Sequence, residues 1–176
     1  MMNAVEIRTA RLALRPAGPE YAAAVHRYAS DREHTKYMVF LPNETFQETV
    51  DFLTRARGEW EKDDPQCFEF VILRAGEVIG GADVERCEDA ETAELGWILR
   101  PDCAGRGYAC EAARGMMDWA EETLGIRRFI AHCDSENERS WRLMERLGMA
   151  RAGVSGGRRN RGSEEERLEY TYELRR

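Results

Sequence analysis

The stretch Glu94-Leu-Gly-Trp-Ile-Leu-Arg-Pro-Asp-Cys-Ala-Gly-Arg-Gly-Tyr-Ala-Cys-Glu-Ala-Ala113 changes its hydrophobic period part-way along. Leu95, Trp97 and Leu99 alternate as in a strand with one buried face, and Pro101 interrupts them. From about Gly107 to Leu124 the spacing of Ala109, Ala113, Met116, Ala120 and Leu124 is helical. Between the two lie Gly105 and Gly107. Without side chains, this pair lets successive amides point inward, and the first helical turn adds unpaired donors and a positive dipole end. The segment therefore reads as an anion site, most naturally for a phosphate or pyrophosphate. Gly105-Arg-Gly-Tyr-Ala-Cys110 begins like a dinucleotide fingerprint but ends on cysteine. A strand hairpin precedes it, and too few strand–helix crossovers follow it for a doubly wound half-site.

Working outward, Glu6 to Arg15 reads as one strand ending at Pro16. A helix pattern starts at Pro19 and Glu20 and passes through Ala23, Val25 and Tyr28. Thr45 is placed to cap a second helix, with Glu48 completing a capping box ahead of Phe46, Val50, Phe52, Leu53 and Trp60. Phe68–Leu73 and Val78–Val84 are strands joined by a turn at Arg74-Ala-Gly-Glu77. Thr92–Leu99 is the next strand. After Gly125, Phe129–Cys133 is a short strand, and Asn137 caps a helix through Trp141, Met144 and Leu147 that Gly148 closes. Met149–Val154 and Arg167–Leu174 are strands, with Ser155–Glu165 a polar loop between them. This order predicts one domain over residues 1–176, an α/β chain with a mixed sheet and helices on its faces.

Composition narrows the partners. Hydrophobic residues make up 43% of the chain and charged residues 34%, an ordinary globular balance. A formal net charge of -7 argues against nucleic acid. No apolar run reaches membrane-spanning length, so no membrane partner is expected. The five cysteines include no C-x-x-C pair, and His26, His34 and His132 are not at metal spacing, so no metal is expected. An odd cysteine count in a chain of this size fits a reducing, cytoplasmic setting.

Three segments together resemble the GNAT superfamily of N-acetyltransferases. They are Glu94 to Pro101, Ala104 to Ala112, and Asn137-Glu-Arg-Ser-Trp-Arg-Leu-Met-Glu-Arg-Leu-Gly-Met149. More narrowly they are similar to the branch of the ribosomal-protein acetyltransferases RimJ and RimL, which the opening Thr9-Ala-Arg-Leu-Ala-Leu-Arg-Pro16 and the closing Tyr172-Glu-Leu174 also fit. The resemblance implies the acyl-CoA N-acyltransferase fold, a central, mostly antiparallel sheet flanked by about four helices. It also implies acetyl-coenzyme A as cosubstrate, with Ala104, Gly105, Arg106, Gly107 and Tyr108 at the pyrophosphate. Trp97, Ile98 and Leu99 would lie along the pantetheine arm, with Asn137 reaching that arm and Ser140 near the thioester sulfur. Asp102 departs from the glutamine or arginine that many members outside this branch carry.

The chemistry of acetyl transfer to an amine adds a base and a proton route. Glu94 is the candidate base; otherwise it is a solvated strand charge. Ser140 can donate a hydrogen bond to the leaving sulfur or orient the arm; otherwise it is a first-turn helix residue. The expected acceptor is an amine-bearing small molecule, an amino acid or a peptide N-terminus, and the expected assembly is a monomer or homodimer. The alternative is a catalytically idle acyl-coenzyme A sensor. Arg158, Arg159 and Arg161 read as a solvated loop or as a border of the acceptor cleft. Trp60 and Lys36-Tyr37-Met38 are candidates for the opposite wall.

Overall fold

The computed structural model describes residues 5–176. Eight strands form one sheet in the order β1-β2-β3-β4-β5-β6-β8-β7. They are β1 (Ile7–Arg8), β2 (Ala13–Pro16), β3 (Cys67–Arg74), β4 (Glu77–Arg86), β5 (Thr92–Leu99), β6 (Arg128–Asp134), β7 (Ala150–Arg159) and β8 (Glu166–Arg175). The helices are α1 (Ala22–Ala29), α2 (Phe46–Trp60), α3 (Tyr108–Leu124) and α4 (Glu138–Arg146). Every neighbouring pair is antiparallel except β5 and β6.

Strand alternation divides the core between two faces. Phe68, Phe70, Ile72, Ala82, Val84, Ala93, Leu95, Phe129 and Ala131 bury one face against α3 and α4. Val71, Leu73 and Val78 bury part of the other against α1 and α2. On the α3 side Trp60, Phe68, Phe70 and Trp119 stack edge-on, with centroids 5.1–5.3 Å apart for Trp60–Phe68, Trp60–Phe70, Phe68–Trp119 and Phe70–Trp119. Pairs of this kind add about 0.5–1.5 kcal/mol each beyond their buried area.

Several expectations need correction. The first strand is two short antiparallel ones, because Thr9 to Leu12 turn back on themselves and the Thr9 amide donates to the Leu12 carbonyl at 3.0 Å. In α3 the buried face is Tyr108, Ala112, Ala113, Met116, Met117 and Ala120, whereas Ala109 and Leu124 are only partly covered. Trp60 is a core residue and no wall of a cleft; its indole donates to the Glu69 carbonyl at 2.8 Å. Strand β7 runs on to Arg159, so Arg158 and Arg159 are paired sheet residues rather than a solvated loop. The turn at Arg74–Glu77 is as expected, with both Ala75 (φ 49°) and Gly76 (φ 82°) left-handed.

Candidate active site

The decisive geometry is where β5 and β6 part. Their parallel ladder covers only Thr92↔Arg128, Ala93↔Phe129 and Glu94↔Ile130, although β5 continues to Leu99. Beyond Glu94 the edge of β5 facing β6 has no strand partner among the described residues, and Trp97, Ile98 and Leu99 lie along this opening. Because the two strands are parallel, the helices that follow them, α3 and α4, both begin at the end where the sheet is splayed.

The start of α3 presents unpaired amides in a geometry that suits an anion. Gly105 (φ 77°) and Gly107 (φ 79°) are left-handed, a conformation that costs glycine nothing. No side chain caps the helix, so the first-turn amides after Gly107 are left for a ligand. Gly105, Arg106 and Gly107 are exposed, and a Cβ at Gly105 would meet nothing within 4 Å. Ala104, extended at φ -68° and ψ 156°, leads into this loop. The Tyr108 side chain, by contrast, is buried, with the Arg11 and Arg74 guanidinium groups over its ring at 4.5 and 5.3 Å. Asp102 is engaged by Arg100, which holds its carboxyl down at about 2.

A clamp that sequence reasoning missed braces this loop from behind. Glu111 accepts from the Thr9 hydroxyl (2.6 Å), the Arg11 amide (2.7 Å) and Arg11 Nε (2.6 Å). Arg11 Nη1 donates in turn to the Arg106 carbonyl at 3.1 Å. The partners are about a hundred residues apart, so no local pattern announces the contact.

At the start of α4, Asn137 Oδ1 accepts from the Ser140 amide at 3.4 Å, as an N-cap. Nearby on β6, Cys133 is buried, and burial pushes its thiol up to about 11.

Glu94 sits at the vertex of the splay, half-buried, its carboxyl held above the ordinary range chiefly by burial and opposed by the charge of His132. His132 Nε2 is 4.0 Å from Glu94 Oε2, while its Nδ1 is 2.9 Å from Thr171 Oγ1 and 3.5 Å from Glu169 Oε1. Sequence reasoning noted His132 as lying outside metal spacing and did not single out Glu69, Asp83, Glu85 or Glu169. The available signal was an acidic residue at every second place in otherwise apolar strands, as in Phe68-Glu-Phe70 and Ala82-Asp-Val-Glu85.

The arginines of the β7–β8 hairpin hold the wall of this cleft together. Arg158, 8% exposed in its side chain, donates to Glu169 (2.6 Å), Asn160 (3.0 Å) and the Tyr37 carbonyl (2.9 Å). Buried Asp134 accepts from Asn160 (2.6 Å) and Arg167 (3.2 Å). Arg161 reaches Glu48 on α2 at 3.0 Å. The segment around Tyr37 and Met38 is thereby tied to the hairpin, with Lys36 paired to Glu33.

A family model described as "Acetyltransferase (GNAT) domain" matches residues 11–150. The chain belongs to the GNAT acetyltransferases. It is 30% identical over 151 residues to the uncharacterized N-acetyltransferase YnaD of Bacillus subtilis (strain 168), covering 85% of each chain. It is 28% identical over 141 residues to the spermidine N(1)-acetyltransferase of Escherichia coli (strain K12), covering 80% of this chain and 73% of that one. A GNAT-family acetyltransferase structure from Bacillus anthracis superposes with a TM-score of 0.82 at 26% identity, over 97% of this chain and 98% of the other. The GNAT fold and acetyl-coenzyme A-dependent N-acetylation follow from that membership. The splay and the uncapped glycine loop are the features that fit the cosubstrate. Among the described residues no group of three His, Cys, Asp or Glu side chains converges to hold a metal ion, and no helix is long and apolar enough to cross a membrane.

Proposed function

We propose that this GNAT enzyme acetylates a primary amine by direct attack at the vertex of the β5–β6 splay, with Glu94 as the base. The observation that carries the reading is that the ladder ends at Glu94, so a chain lying along Trp97, Ile98 and Leu99 ends beside this carboxylate. The amides from Gly105 onward would hold the pyrophosphate, and Asn137 the pantetheine arm. As the amine nitrogen bonds to the carbonyl carbon and the carbon–sulfur bond breaks, Glu94 accepts the amine proton. Ser140, in the first turn of α4, would donate a hydrogen bond to the departing sulfur. A carboxyl raised above its ordinary range matches an amine proton better than a solvated one does. Holding both reactants together supplies much of the remaining rate.

The test is thiol release from acetyl-coenzyme A over a panel of amines and N-terminal peptides, for the wild type and Glu94→Gln. The expected result is a fall in kcat of about a hundredfold or more in the variant, with acetyl-coenzyme A affinity retained. Equal turnover across the pH range would remove Glu94 from the role.

A further inference from the structure

We infer that the acceptor is a small amine with a second positive charge, whose distal ammonium is seated by Asp83 and Glu69 while its reacting amine lies at Glu94. The inference rests on the acetyl-transfer reading above and narrows its acceptor.

Strand register sets out the seat. Glu69 on β3 lies directly opposite Asp83 on β4, which lies opposite Gly96 on β5. One step along the strands, Cys67, Glu85 and Glu94 form a second row on the same face. Directly opposed side chains are about 5 Å apart at Cβ and diagonal ones about 7–8 Å. Gly96 is what leaves this space open, since a Cβ there would stand 2.2 Å from Asp83 Oδ1. The Asp83 carboxylate therefore leans over β5, the strand that carries Glu94.

Solvated acids on a sheet surface would mean little, but Asp83 and Glu69 are not solvated in that way. Burial is the largest influence on both, lifting the Asp83 carboxyl to about 7 and Glu69 well above its ordinary range. The charges acting on Asp83 are those of Glu94 and Glu85, and among the described residues no donor bonds to it. Glu69 has only the Cys67 thiol, at 4.0 Å. Both residues keep partial exposure to solvent. The cations on adjoining segments are committed elsewhere, Lys62 to Glu59, Arg86 to Asp64 and Arg158 to Glu169. His132 faces Glu94 and Glu169.

Partly buried carboxylates without a partner are costly, and a ligand ammonium offsets that cost. The carboxylates are too dispersed to converge on a metal ion, but a short methylene chain can bridge the two rows. A peptide N-terminus bearing one charge would leave Asp83 and Glu69 unpartnered.

The test compares 1,5-diaminopentane with 5-aminopentan-1-ol and 1-aminopentane, and with uncharged-side-chain peptides, in thiol-release assays of the wild type and the isosteric Asp83→Asn. Thermal shift with each amine supplies a readout independent of turnover. The wild type is expected to favour the diamine by about tenfold or more in kcat/KM, and Asp83→Asn to bring that ratio toward one. Monoamines or peptides used as well as the diamine would overturn the inference and leave acetyl transfer standing. If no amine releases thiol but the diamine still raises the melting temperature of the wild type more than that of Asp83→Asn, the seat stands and the acetyl-transfer reading falls. Absence of both signals would overturn both.

Discussion

At Gly107 the backbone, and not the space around it, excludes other residues. The added Cβ would meet only Arg11 Nη2, at an ordinary 3.5 Å, but φ is 79°. A β-branched side chain is strained in that region by about 1–3 kcal/mol, which the loop relieves by shifting its amides. Gly107→Val is accordingly expected to raise the Kd for acetyl-coenzyme A about tenfold or more by calorimetric titration. Unchanged affinity would detach the pyrophosphate from this loop. Gly107 is left-handed, and the glycine pair was legible in the sequence as the start of a helix, although glycine also serves ordinary turns. Asp83 was not, since an acid on a strand is normally a solvated residue and only the register shows what it faces.

At the scale of elements, the glycine loop that opens α3 is held by the turn between β1 and β2. Arg11 bonds to the Arg106 carbonyl and to Glu111, so its loss frees one side of the loop without touching the ligand surface. Arg11→Ala is expected to weaken acetyl-coenzyme A binding by about fivefold, the worth of roughly one hydrogen bond, with an unchanged far-ultraviolet spectrum. A Kd identical to that of the wild type would show that the loop holds its shape alone. The helices and the central strands were readable from period and caps: Thr45 does accept from the Glu48 amide at 3.2 Å. Two elements were misread for one reason. The split of β1 from β2 and the extension of β7 to Arg159 are set by hairpin pairing, Ile7 with Leu14 and Arg159 with Glu166, and polar segments such as Ser155–Arg159 carry no hydrophobic period to reveal it.

For the whole molecule, the carboxylates on the open face tie stability to pH. Asp83 rises from 3.8 to about 7 on folding, facing Glu94 of β5 and Glu85 of its own strand, with Glu69 of β3 opposite and Tyr28 of α1 near Glu69. The folded protein thus holds this proton more tightly than the unfolded chain does. The contribution to stability is complete below about pH 4 and is lost as pH rises through about 7. Glu94 and Glu69 are shifted in the same direction. Melting temperatures without ligand are expected to fall less for Asp83→Asn than for the wild type between those limits. Parallel curves would mean that Asp83 ionises as freely as an exposed acid.

The sequence by itself determined most of the elements and the glycine-led start of α3, where the donor is proposed to bind. Hydrophobic period, caps and paired glycines are local, and a helix start with free amides is complete within a few residues. Only the tertiary structure brought together the residues of the proposed acceptor half. Glu69, Asp83, Glu94, His132 and Glu169 come from five different strands, and they share one face only because of a register set by the whole sheet. Whether a charge is solvated, paired or left waiting for a partner depends on burial and neighbours. Both are properties of the assembled fold.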